Sequence, residues 1–277
     1  MPIFRWLKKN TKLPRKRFLH RAHIFWKYHR HRSEKEPAFI LTTRRTGSNL
    51  LLDYLNSVPG VSFAPEILNE SMYYGLPSRG VPKKAALRHI RHSVNASPQR
   101  VCGAKFVAVH LRKHMITPED LLELYPQARF IVLYRRSLLE QWVSLKIAEK
   151  TDVWQWTKNF KPPLHIRVEP EEFKEYCRSA KAFYASLLRY RFYGRWTVLS
   201  YEDLVEDPQG VFNDSLFPFL GCARARVHSR MVKQNTRALR AVIENYEEIA
   251  PWAHHPLARQ EYSARRKSAP DRAARVA

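Results

Sequence analysis

The chain has 277 residues, 44% of them hydrophobic and 12% aromatic, enough to bury a sizeable core in one large domain or two small ones. Its formal net charge of +24 draws it toward polyanions, whether nucleic acid, anionic lipid, acidic glycan or a multiply charged cofactor. No apolar run approaches the roughly eighteen residues of a membrane span, and the basic start MPIFRWLKKN lacks the apolar stretch of a signal peptide, so a cytoplasmic protein is expected.

Residues 1–36 hold twelve Lys or Arg against two Glu. Within them Phe18, Ala22, Phe25 and Trp26 fall at helical spacing, which predicts a short basic amphipathic helix. Such a helix suits the inner face of an anionic membrane; the alternatives are that the arm packs back on the domain or is disordered. AFILTT (38–43) then reads as a strand and Ser48 to Ser57 as a helix. GVSFAPE (60–66) is a short strand emptying into a loop, and CGAKFVAVHL (102–111) is a third strand. Residues 66–100 and 150–170 read as variable loops. Thr117 followed by Pro118 opens a helix, because Thr caps and Pro suits a first turn.

RFIVLYRR (129–136) is the clearest buried strand, and the helix LLEQWVSLKIAEK follows at once. A long helix begins near Pro170, with Phe173, Cys177, Ala180, Tyr184, Leu187 and Leu188 on one face, and stops at Gly194. RWTVLSYEDL (195–204) reads as another strand, and Asp207-Pro208 opens a helix ending near Gly221. RMVKQNTRALRAVIENYEEI joins a basic cluster to a further helix, and the tail from Ala253 is expected to be disordered. Cys102, Cys177 and Cys222 lie far apart and read as buried thiols. The expectation is one α/β domain over 37–252, a mainly parallel sheet flanked by helices, between a basic arm (1–36) and a basic tail (253–277).

Two stretches carry chemistry. In ILTTRRTGSNLLLDYL a strand turns into a helix near Gly47, whose unpaired N–H groups and positive dipole end suit a phosphate or sulfate. Thr46 and Ser48 add hydroxyls, and Arg44 and Arg45 add charge. The turn has one glycine and no lysine, so it is not a nucleoside triphosphatase loop. In the second stretch Arg136 ends a strand and Ser144 lies eight residues later, a spacing that places a guanidinium and a hydroxyl on one anion.

Together the two stretches resemble the sulfotransferases that use 3′-phosphoadenosine-5′-phosphosulfate (PAPS). In that family the first loop holds the 5′-phosphosulfate, matched here by Arg45, Thr46, Gly47, Ser48 and Asn49. A strand-end arginine and a serine eight residues on hold the 3′-phosphate, matched by Arg136 and Ser144. FAPEILNE and YEDLVEDP are similar to the bacterial branch acting on trehalose and lipo-chitooligosaccharides. Arg44 replaces a common proline and Asn49 a common hydroxyl residue. The resemblance implies a P-loop-like sulfotransferase fold and in-line transfer to a carbohydrate, lipopolysaccharide or glycolipid hydroxyl. No metal is expected, since no clustered His, Cys or carboxylates appear.

The base is left between two candidates. The resemblance implies Glu66, whose counterpart in the bacterial branch acts as base; His110 is the competitor, because other branches use a histidine after the intervening strand. Lys105, in GAKF, is a candidate to reach the bridging oxygen or an acidic acceptor, and Lys233, Gln234 and Asn235 resemble a late segment that closes over the nucleotide. A P-loop kinase would share the first turn, but the lysine and a magnesium-binding aspartate after a strand are missing. A nucleic-acid-binding protein would explain the charge, but aromatic residues are not interleaved with the cations, so no nucleic acid is expected.

Overall fold

The computed structural model describes residues 35–72, 75–76, 80–154, 165–192, 195–231 and 238–262. In chain order they form β1 (Ala38–Thr42), α1 (Ser48–Asn56), β2 (Val61–Ala64), α2 (Lys83–Asn95), β3 (Val101–Val107) and α3 (Ala108–Lys113). Then come α4 (Pro118–Leu124), β4 (Arg129–Tyr134), α5 (Leu138–Thr151), α6 (Pro170–Leu188), β5 (Arg195–Ser200) and α7 (Tyr201–Glu206). A helical run over 208–220 with one π turn follows.

The five strands form one sheet in the order β2-β3-β1-β4-β5, and every pairing is parallel. β1, β3 and β4 are buried along their whole length, as parallel strands covered on both faces must be. Side chains alternate across the sheet. Ala38, Ile40, Ile131 and Leu133 meet Leu51 and Leu55 of α1 together with Phe212, Leu216 and Phe217. On the opposite face, Phe39, Leu41, Phe106, Phe130 and Val132 meet Ile90 and Val94 of α2, Leu121 of α4 and Tyr184 of α6. A third apolar cluster joins α5 and α6 to Val242, Ile243, Ile249 and Ala258. The expected cap at Thr117 is present, its N–H and hydroxyl both donating to Asp120 Oδ2 at 2.7 and 3.0 Å. Asp207 likewise caps the next helix, accepting from Gly210 N at 2.8 Å.

Several boundaries differ from the sequence reading. The strand expected over 102–111 stops at Val107, which pairs with Thr42, the last residue of β1; beyond it no neighbour remains to bond, and the chain coils into α3. The strand expected over 195–204 stops at Ser200, whose hydroxyl accepts from Asp203 N at 3.1 Å and starts α7. Lys83–Asn95 is a helix where only loop was expected. The helix expected through RALRAVIENYEEI is broken into short turns, because Ile166 and the 242–244 segment bond each other (Ile166 N to Val242 O 2.7 Å, Glu244 N to Ile166 O 3.0 Å).

The packed chain also runs past the expected boundary at 252. Gln260 Nε2 donates to Arg135 O at 2.8 Å, and the Tyr262 ring lies 5.0 Å from that of Tyr134. Of the basic arm, only 35 and 36 are described, and both are tied to the domain. Lys35 Nζ donates to Ser97 O at 2.9 Å, and Glu36 pairs with Arg129 and Arg100 at 2.9 and 2.7 Å. The expected membrane-facing helix lies outside the described residues, as does the tail beyond 262. No helix among the described residues is long and apolar enough to cross a membrane.

Candidate active site

β1 lies at the centre of the sheet, with β3 on one side and β4 on the other. The connections leaving β1 and β4 diverge at its carboxyl end, the place where open α/β sheets bind ligands. A cleft of about 890 Å³ opens there, lined by Arg45, Gly47, Ser48, Asn49, Glu66, His110, Arg135 and Ser144 among others.

The turn between β1 and α1 is wound left-handed twice, at Arg45 (φ 62°) and Gly47 (φ 77°). Its second left-handed residue has to be glycine, since a Cβ there would lie 2.8 Å from Tyr201 Cε2 and closer still to Cδ2. α1 then begins, with Leu51 N bonding Gly47 O at 3.1 Å as the first full helical turn. The preceding N–H groups have no partner within the helix and face the cleft with the dipole's positive end. Thr46, expected to offer its hydroxyl to an anion, is fully buried and turns it inward against Thr42 Oγ1 and Thr43 O.

Arg45 Nε donates to Ser144 Oγ at 3.1 Å and its Nη1 to Trp154 O at 2.7 Å. This bond joins residues that the sequence assigned to two separate phosphate grips. Burial, helped by the charge of Arg135, pulls the Arg45 guanidinium down to about 10, which leaves it charged at neutral pH.

The arginine that turns into the cleft from the end of β4 is Arg135, not Arg136 as expected. Arg135 is buried over the Tyr201 ring, 4.6 Å from its centroid, and its Nη2 pairs with Glu140. Its Nε makes no hydrogen bond among the described residues but lies 4.0 Å from Glu202 Oε1. Arg136 points outside the cleft to Asp203, and its backbone N–H donates to Glu202 Oε2 at 3.0 Å. Sequence reasoning missed Arg135, although Ile131 and Leu133 face α1 and continuing their alternation one step past the end of β4 would put 135 on that side and 136 on the other.

Across the cleft, Glu66 follows β2 and faces Lys105 of β3, with Lys105 Nζ 2.9 Å from Glu66 Oε1. Lys105 is 1% exposed and also donates to Asn49 Oδ1 in the first turn of α1. It therefore lies beneath the cleft, holding Glu66 and α1 together. Glu66 Oε2 accepts from Asn69 Nδ2 at 2.8 Å and lies 3.8 Å from His110 Nδ1. Burial alone would raise the Glu66 carboxyl, but the charge and hydrogen bond of Lys105, with Asn69, outweigh it and hold the group below the usual carboxylate range. Burial also pulls His110 down to about 4 against the opposing pull of Glu66, so at neutral pH it is an uncharged imidazole. His110 stands on α3, not at a strand end. Lys233, Gln234 and Asn235 lie outside the described residues, but the residues flanking them, Met231 and Ala238, both line the cleft.

The arrangement thus has a helix-start turn with two guanidiniums on the β4 side and an ionised carboxylate on the β3 side. A model of the sulfotransferase family matches residues 37–226. The chain belongs to the sulfotransferase family. Nodulation protein H of Rhizobium meliloti is 26% identical over 237 residues, covering 80% of this chain and 94% of that protein. Nodulation protein H of Rhizobium tropici is 26% identical over 226 residues, covering 77% and 88%. Among solved structures, a sulfotransferase from Alicyclobacillus acidocaldarius aligns at 17% identity with a TM-score of 0.48, covering 79% of this chain and 91% of that one.

In this sulfotransferase the Gly47 turn should be intolerant of any side chain. Gly47→Ala is expected to lose about 1–2 kcal/mol from the left-handed backbone alone, and more from the Tyr201 contact. The check is a lowered urea midpoint at unchanged slope. A midpoint equal to that of the unmodified protein would mean that the turn relaxes freely.

Proposed function

We propose that this sulfotransferase moves the sulfuryl group of PAPS to a hydroxyl of a carbohydrate or glycolipid acceptor. The observation that carries the reading is the convergence of Arg45, the start of α1 and Arg135 on one side of the cleft with ionised Glu66 on the other. The residues suit the donor: half-buried Arg45 and buried Arg135, close enough for one to depress the other, line the cleft beside the free N–H groups of α1, a set that suits a multiply charged anion. When bound, PAPS supplies an activated sulfuryl group and a phosphate leaving group.

Arg45 and the N–H groups around Gly47 stabilise negative charge building on the leaving oxygen. Ser144 holds the Arg45 side chain by accepting from its Nε. Arg135 supports the distal phosphate. Glu66 accepts the proton of the attacking hydroxyl, and Lys105 keeps it ionised for that task. The carbohydrate class of the acceptor rests on the likeness to the bacterial branch, to which the Nodulation protein H relatives add weight.

Melting temperatures in adenosine 3′,5′-bisphosphate, in ATP with magnesium and in duplex DNA test the donor assignment. The bisphosphate is expected to stabilise most, on the order of 2–3 kcal/mol at a hundredfold excess over its Kd. A larger shift with ATP and magnesium would transfer the site to phosphoryl chemistry.

A further inference from the structure

Between the helical run and the cleft, residues 222–231 form no helix or strand, and the alternating exposure from 224 to 230 marks an extended course. Ala225 and Val227 pack inward on the α1 side of the core, while Arg224, Arg226, His228 and Arg230 are exposed. The backbone is pinned along this course. Gln209 bonds Ala225 O at 3.0 Å and Val227 N at 3.1 Å. His228 N donates to Ser57 Oγ at 3.2 Å, and Arg230 N to Asp53 Oδ2 at 2.8 Å. Asp53, the carboxylate beneath, is further taken up by Ser229 Oγ at 2.7 Å. The guanidiniums of Arg224, Arg226 and Arg230 have no ion pair or hydrogen bond with any described residue.

The direction of the track is set by its neighbours. Gly221, where it starts, lies by Arg129 at the amino end of β4. It then climbs against α1, past Ser57 and Asp53, and Met231 at its far end lines the cleft. Outward side chains two residues apart in an extended chain stand roughly 6.6 Å from each other, and ten such residues span up to roughly 30 Å.

We infer that this row of arginines is a docking track for an acceptor that is itself a linear anionic glycan, carrying carboxylate, phosphate or sulfate groups along its length. The inference rests on the glycan-acceptor reading above and adds the acceptor's charge and the path it takes. A membrane presents a plane of charge, whereas these cations form a line that ends where the reaction occurs. A single-stranded nucleic acid calls for aromatic stacking platforms among the cations, and residues 222–231 contain no Phe, Tyr or Trp. An exposed guanidinium row held on a fixed backbone retains strength for successive anionic groups, because little backbone order is lost on binding.

The test is fluorescence anisotropy with labelled heptagalacturonate as the anionic probe and labelled maltoheptaose as the neutral one, with the full chain. The anionic probe is expected to bind more tightly and to weaken as salt rises. The double variant R224A/R226A is expected to raise its Kd about fivefold and flatten the salt dependence, while R224K/R226K retains most of the binding. Circular dichroism and the melting shift with adenosine 3′,5′-bisphosphate should be unchanged in both variants. That bisphosphate shift reports the donor site separately, so its absence in the unmodified protein would count against the proposed reaction and not against the track. Equal Kd values for the double variant and the unmodified protein, or equal binding of the neutral probe, would overturn the track. So would tighter, variant-sensitive binding of duplex DNA or of phosphatidylglycerol vesicles.

Discussion

Replacing Arg45 with alanine is expected to lower kcat by about 10²–10³-fold, the usual cost of losing one charge-stabilising donor. The change removes more than a charge. Arg45 spans the cleft floor from the left-handed turn to Ser144 on α5 and to the Trp154 carbonyl beyond it. Arg45→Lys should recover only part of the rate, because an ammonium cannot donate at once to Ser144, Trp154 and a phosphate with the same fork. The bisphosphate melting shift should shrink in both variants. A kcat within threefold of the unmodified enzyme in Arg45→Ala would remove the turn from the leaving-group role.

The second large effect is at Glu66. Glu66→Gln is expected to reduce kcat by about 10²–10⁴-fold, with the bisphosphate shift retained. The substitution leaves Lys105 buried without its carboxylate, and orphaning a buried charge costs about 3–5 kcal/mol. A paired variant, Glu66→Gln with Lys105→Met, removes the orphan and should regain stability without regaining turnover. If the paired variant turned over normally, Glu66 would be a structural anion and His110 the base to pursue. The pH profile separates the two as well. Burial would raise the Glu66 carboxyl, but Lys105 and Asn69 hold it low, so the carboxylate proposed as base stays ionised at neutral pH. The rate should therefore hold as pH falls through 6 and decline only at or below the ordinary carboxylate range. His110, neutral down to about 4 because of its burial, adds no step near neutrality.

The sheet was legible because β1 and β4, buried on both faces, read as nearly continuous apolar runs. The Gly47 turn was legible because a strand, a small-residue turn and a helix start leave a local pattern. Arg135 was passed over in favour of Arg136 because motif spacing counts residues, whereas the alternation of Ile131 and Leu133, carried past the end of β4, sorts them by side. His110 was placed on a strand because Val107, Val109 and Leu111 alternate as a strand would; what ends β3 is the length of its neighbour β1, which no local window contains. Lys105 was taken for a residue reaching substrate since a lysine in a strand is seldom fully buried. Its partners Glu66 and Asn49 come from other elements, 39 and 56 positions away.

α1 touches both halves of the proposed acceptor path: its first turn faces the cleft, and its far end carries the Asp53 and Ser57 anchors of the arginine row. A helix cannot stretch, and the nine steps from Ser48 to Ser57 fix about 13.5 Å. α1 thereby acts as a ruler. On the proposed path, the hydroxyl to be sulfated would lie at a set distance from the arginine row, so position along the glycan would be chosen by length as well as by chemistry.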